Sequence, residues 1–296
     1  MTGAATRLNG ARARRRRAAI AVGASLWLGI GAMVSFSIDE AGAAETKPIR
    51  WLFNGPGVAA MAADPEASRL LDGGEPFVMW GRPLSGVPRS WKAIHVLSCK
   101  SLSEIEDALA TGALGPEIKG VMYDQEKWRF TPEEEQRNPG PYLKKAADLV
   151  HARGLLFLTA PAVNLVNIIE PGARGDRMGE AYLRLGLAAD AARNADVFDI
   201  QAQRFEGDTK TYESFVRQAA AQARQANPKV IVLAGISTEP IGRSVTADDI
   251  LQAISATRDA VDGYWFNIPK PSEYSPIAKA FRPDLAAEVL RRLAGP

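Results

Sequence analysis

Eight short apolar runs, separated by stretches of helical periodicity, constrain this chain more than any other feature. The runs occupy 49–54, 77–81, 93–98, 119–126, 155–161, 196–203, 230–235 and 263–268. Between the later ones, 141–153 places Leu143, Ala146, Ala147 and Val150 at helical spacing and stops at Gly154,. The segments 182–194, 212–227 and 248–260 behave alike. Ser101 with Glu104, Thr131 with Glu134 and Thr246 with Asp249 read as capping boxes, and Pro132 suits a first helical position,. Strands separated by helices pair in parallel, and eight such units predict a closed (β/α)8 barrel, one domain over 48–296. The second unit is irregular, because prolines and turn residues in 83–90 oppose a full helix,. An open doubly wound sheet is the competing plan. It lacks a Gly-x-Gly-x-x-Gly turn after the first strand, where Asn54-Gly55-Pro56-Gly57 reads as a turn,.

The first 43 residues read as a signal peptide outside the fold. Arg7, Arg12 and the arginines at 14–17 precede an apolar stretch over 18–36, and Ala41-Gly42-Ala43 forms a cleavage signal,. The stretch is also long enough to serve as an uncleaved anchor. Either way the protein is expected outside the cytoplasm, secreted or in the cell envelope. The segment sets six arginines against Asp39 and Glu40, a net of +4, while the whole chain is +2, so the remainder carries −2. No basic patch argues for nucleic acid. Cys99, the sole cysteine, permits no intramolecular disulfide, and the fold depends on its core,.

In a barrel of this kind, chemistry gathers at the C-terminal strand ends. Asp124 and Glu126 end the fourth run, two residues apart, and an extended chain points them the same way with Cβ atoms roughly 6–7 Å apart,. Two close carboxyls split their pKa values, which acid/base work on a glycosidic bond requires. Two solvated loop carboxylates are the plain alternative. The sixth run alternates Asp199, Gln201 and Gln203 on one face, where a strand buried on both sides should be apolar,. Those groups serve either an internal hydrogen-bond network or a hydroxyl-rich ligand. Trp80, Trp128, Trp265, Asn267 and Glu239 complete the strand-end set, with rim packing as the alternative for the tryptophans. The triplet at 133–135 reads as a helix first turn, His151 as exposed and His95 as a satisfied core group. No metal-ligand spacing and no Gly-x-Ser-x-Gly elbow is visible,.

Asp124-x-Glu126 at the end of a fourth barrel strand resembles the chitinase-like glycoside hydrolases of family eighteen. That resemblance implies Glu126 as the acid that protonates the leaving oxygen. It implies Asp124 as the carboxylate steadying a substrate acetamido group, and Trp265 as the floor of the sugar site. The chain departs from that pattern at Met122, where the family has Asp, and at Phe198, where its sixth-strand tyrosine would stand. Glu126 and Glu239 also resemble the acid/base and nucleophile of the large retaining-glycosidase clan, with Gln125 where that clan prefers Asn. The expected partner is a polysaccharide or cell-wall glycan, without a cofactor, and membrane contact would come only through an uncleaved leader. A non-catalytic carbohydrate-binding barrel of the cell envelope is the alternative function, and an anchored structural barrel a third.

Overall fold

The computed structural model describes residues 48–80, 86–112, 114–175, 177–241, 243–272 and 278–295. The signal-peptide and anchor readings, and Gly81 at the end of the second run, lie outside the described residues. Eight strands run β1 Arg50–Asn54, β2 Phe77–Trp80, β3 Ile94–Cys99, β4 Ile118–Tyr123, β5 Leu156–Thr159, β6 Val197–Ile200, β7 Ile231–Ser237 and β8 Gly263–Asn267. They close in chain order, each parallel to the next, with β8 pairing back onto β1. The chain is a (β/α)8 barrel, and the open-sheet alternative falls with that closure.

Side-chain alternation builds two cores on the one sheet. Leu52, Phe77, Met79, Val96, Met122, Leu158, Ala160, Val197, Leu233 and Trp265 fill the interior. Their neighbours Phe53, Val78, Leu97, Val121, Phe157, Phe198, Val232 and Phe266 pack outward against the helices. Burial on both faces is why the strands read as continuous apolar runs. It also places Phe198 on the outer layer.

Several local expectations are corrected by the fold. Asn54-Gly55-Pro56-Gly57 opens the helix Gly55–Ala63, with the Asn54 side chain accepting from Gly57 N. The helix expected at 182–194 is two, Arg177–Arg184 and Leu187–Ala192, broken at Gly186 with φ 72°. Only the Thr246–Asp249 capping box is complete. Ser101 accepts from Glu104 N at 3.1 Å, but the Glu104 carboxylate turns to Lys100 N. Thr131 caps nothing: the helix Glu133–Arg137 has Pro132 at its N-cap and no side-chain cap. Glu135 is no solvated first-turn acid. It is buried and accepts from Leu102 N and from the Tyr123 hydroxyl. His151 lies exposed against Asp196, as expected, whereas His95 is only half-buried and its Nδ1 has no partner among the described residues. Between β2 and β3 the described chain makes only the 3-10 turn Arg89–Trp91. No helix among the described residues is long and apolar enough to cross a membrane.

Candidate active site at the barrel mouth

The site grows from the end of β4. Asp124 N donates to Cys99 O at 2.9 Å, carrying the ladder one residue past the strand. Extended parity then turns the Asp124 side chain inward, two residues above inward Met122,. Asp124 is 5% exposed. Its Oδ1 accepts from Gln201 Nε2 at 2.8 Å, and the same Nε2 donates to Ala160 O at 2.8 Å. Gln201 thereby ties the ends of β4, β5 and β6 together.

Glu126 stands farther out on the departing loop, partly exposed. Asn164 Nδ2 donates to its Oε2 at 3.2 Å, and Asn164 Oδ1 accepts from Lys127 N at 2.8 Å. Thr131 pins the loop from beneath. Its Oγ1 accepts from Trp128 Nε1 at 2.8 Å and from Glu126 N at 3.4 Å, and donates to Lys100 O at 2.7 Å. Gln136 Nε2 adds donations to Trp128 O at 2.8 Å and Thr131 O at 2.6 Å.

The carboxyls are electrostatically unequal. Burial pushes Glu126 up to about 8, Asp124 adds to the rise, and the Asn164 and Gln201 side chains pull back. Burial lifts Asp124 less, to about 6, because Lys100 and the Gln201 hydrogen bond favour its charged form. Between those values Asp124 is an anion while Glu126 keeps its proton. Asp199 is inward on β6, 0% exposed, and neither carboxyl oxygen has a hydrogen-bond partner among the described residues. Burial first, then Asp124, holds its carboxyl well above the usual range. It faces Asp124 across the small inward side chain of Ala160.

The other predicted residues divide. Gln203 lies beyond β6 in the 3-10 turn Gln203–Phe205. Its carboxamide lies 2.4 Å from where a Cβ on Gly235 would stand, so a larger residue on β7 there would push the Gln203 side chain aside. Gly235 pairs in register with Trp265, which is inward, nearly buried and without a partner for Nε1 among the described residues. Asn267 accepts from Asn54 Nδ2 at 3.2 Å, tying β8 to β1. Trp128 meets Phe130 edge-on, ring centroids 5.3 Å apart.

Trp80 and Glu239 are not brought to this cluster. Trp80 has outward parity, one residue past inward Met79, and its ring covers Gly55 against the outer core. Glu239 accepts from Lys279 N and Ala280 N, both at 2.8 Å, so its carboxylate clasps the loop that follows β8. Sequence reasoning missed Arg204, Lys100 and Thr131 as neighbours of the pair. Arg204 follows Gln203 immediately, and its position after a strand end was the available signal.

No protein-family model matches the sequence, and no curated protein does. Among solved structures, the chain is similar to the spore cortex-lytic enzyme SleL of Bacillus megaterium QM B1551, at 11% identity over 76% of this chain and 71% of that one, TM-score 0.46. It is similar to a chitinase from Chromobacterium violaceum at 15% identity, covering 64% and 69%, TM-score 0.41. It is also similar to a putative fructose-1,6-biphosphate aldolase from Coccidioides immitis at 12% identity, covering 82% and 86%, TM-score 0.39. The function has to be argued from the residues at the mouth.

Proposed function

We propose that this barrel is a glycoside hydrolase acting on a polysaccharide or cell-wall glycan, with Glu126 as general acid and Asp124 as the supporting carboxylate. The unequal pair carries the reading: a partly exposed acid that keeps its proton stands beside a buried one that gives its proton up. Glu126 would protonate the leaving oxygen as the glycosidic C–O bond breaks, Asp124 would face the positive charge that develops at the anomeric carbon of the sugar left behind, and water would supply the oxygen that finally bonds that carbon. Gln201, Asp199, Gln203, Trp265, Asn267 and Trp128 supply amides, carboxyls and indole surface for a sugar. The same reading takes 48–296 as one barrel domain behind a signal peptide at 1–43, and places the protein in the cell envelope or medium.

One observation favours a second reading, a barrel that binds glycans without turnover. Met122 is apolar and 1% exposed at the inward position below Asp124, so no second β4 carboxyl supports that acid. Oligosaccharides from chitin, β-glucan and peptidoglycan, offered to the full chain, decide between the two. Glu126→Gln keeps the shape and removes the proton; turnover should fall about 10²-fold or more while binding survives. Wild-type activity should rise with pH as Asp124 ionises near 6 and fall as Glu126 deprotonates near 8,. Turnover indifferent to Glu126→Gln would remove the acid assignment, and binding with no turnover in the wild type would leave the second reading.

A further inference from the structure

Strand register lays an uneven row of charges across the upper barrel. Ser98 pairs with Met122 and Cys99 with Tyr123, and Asp124 N carries the ladder on to Cys99 O, so Lys100 stands beside Asp124. Tyr123 pairs with Thr159, and Ala160 N donates to Tyr123 O, which puts Ala160 on the other side of Asp124. Thr159 pairs with Phe198, so Asp199 comes next, and Asp199 itself pairs with Leu233. The row therefore runs Lys100, Asp124, Ala160, Asp199, Leu233.

Two acids and one ammonium share this row, and a water-poor interior cannot carry both acids as anions. Their surroundings are unequal. Asp124 has Lys100 on the adjoining strand, about 5 Å away between backbones, and accepts from Gln201 Nε2 at 2.8 Å,. Asp199 has only Ala160 and Leu233 as row neighbours, is 0% exposed, and makes no hydrogen bond among the described residues. Lys100 is three strands from it, and Coulomb attraction falls with distance. Burial and a charged Asp124 then push Asp199 toward its acid form.

Lys100 is fixed in that place. Its Nζ donates to Ser98 Oγ at 2.8 Å and to Ser98 O at 3.2 Å. Its N donates to Glu104 Oε2 at 2.6 Å, and its O accepts from Thr131 Oγ1 at 2.7 Å. Of the other charged groups nearby, Glu104 lies on the following helix Leu102–Ala110, Glu126 on the loop that Asp124 opens, and Arg204 beyond β6, where it acts on Glu126. Asn54, Gly235 and Trp265, facing inward from β1, β7 and β8, carry no charge.

We infer that Lys100 is a positioning residue: its ammonium makes Asp124, and not Asp199, the charged acid of this row, and so keeps the supporting carboxylate ionised. Its use in the reaction rests on the glycan-hydrolase reading, whereas the order in which the two acids ionise does not.

Carboxyl-carbon NMR on the full chain with labelled aspartate reads both acids without turnover, and Asp124→Asn and Asp199→Asn assign the signals. In the wild type Asp124 should ionise first, while Asp199 stays protonated past neutral pH. Lys100→Met should raise the Asp124 midpoint by about one pH unit or more, and Lys100→Arg, which keeps the charge, should return most of that shift. The acid limb of kcat/KM should move to higher pH with the midpoint, costing about tenfold in rate per unit on that limb; a purely structural loss would lower the rate alike at every pH. Asp199 ionising before Asp124 in the wild type, which needs no Lys100 variant to fold, overturns the inference. So does an unmoved Asp124 midpoint in folded Lys100→Met. Turnover indifferent to Glu126→Gln, with the ionisation order and its dependence on Lys100 intact, sinks the acid assignment alone. A reversed order in an enzyme that needs Glu126 sinks this inference alone.

Discussion

Two levels of the barrel interior, built on the same strands, differ in almost every side chain. Within each strand the lower inward position is Leu52, Met122, Leu158, Val197 or Leu233, all buried and apolar. Two residues farther along each strand, the same face carries Asn54, Asp124, Ala160, Asp199 and Gly235. The backbone geometry is common to both levels, so the difference lies in what the side chains lose on burial. The lower level gains by leaving water. The upper level gives up hydration of two carboxyls, recovers only part of it through Gln201, and leaves Asp199 unanswered,. A barrel that only had to be stable would continue the apolar pattern upward.

The strongest test of this contrast is to damage the lower level alone. Leu158→Ala should cost about 2–5 kcal/mol by transfer and cavity terms, read as a drop in Tm, while the pH profile of the mouth stays put. A stability loss under ~1 kcal/mol would mean that the surroundings collapse into the space that Leu158 leaves.

Asp199→Asn probes the upper level with a smaller effect. The folded carboxyl holds its proton at pH values where the unfolded chain has released it. Stability from that proton is full below the unfolded pKa and falls as pH rises toward the folded one. Wild type should therefore lose ground to Asp199→Asn by of order 1 kcal/mol per pH unit across that window. Parallel stability curves for the two proteins would show that Asp199 titrates normally.

The smallest effect is expected on the outer layer. Trp80→Phe should leave glycan affinity within about twofold, under ~0.5 kcal/mol, because its ring faces Gly55 rather than the mouth,. A larger loss, with Tm unchanged, would return Trp80 to the binding surface.

Much of this was legible in the sequence because barrel strands have a strict period. The eight runs located all eight strands, and alternation placed Asp199 and Gln201 on the inward face along with Trp265. The same rule, counted from inward Phe77, turns Trp80 outward although it stands at a strand end. Gln203 escaped the count because β6 stops at Ile200 and the chain turns into a 3-10 segment.

The sequence by itself determined the order of strands and helices, the barrel and the face that each strand residue presents, since period and burial are local properties of the chain. The tertiary structure decided which polar groups are answered. Glu239 finds its donors at 279 and 280, some forty residues away, and Glu135 finds Tyr123 and Leu102 on other elements. Asp124 meets Gln201 across β5, while the Asp199 carboxyl meets no counterpart among the described residues. Hydrogen bonds and charge pairing act over a few ångströms in space, and only the closed barrel sets which distant residues come that close.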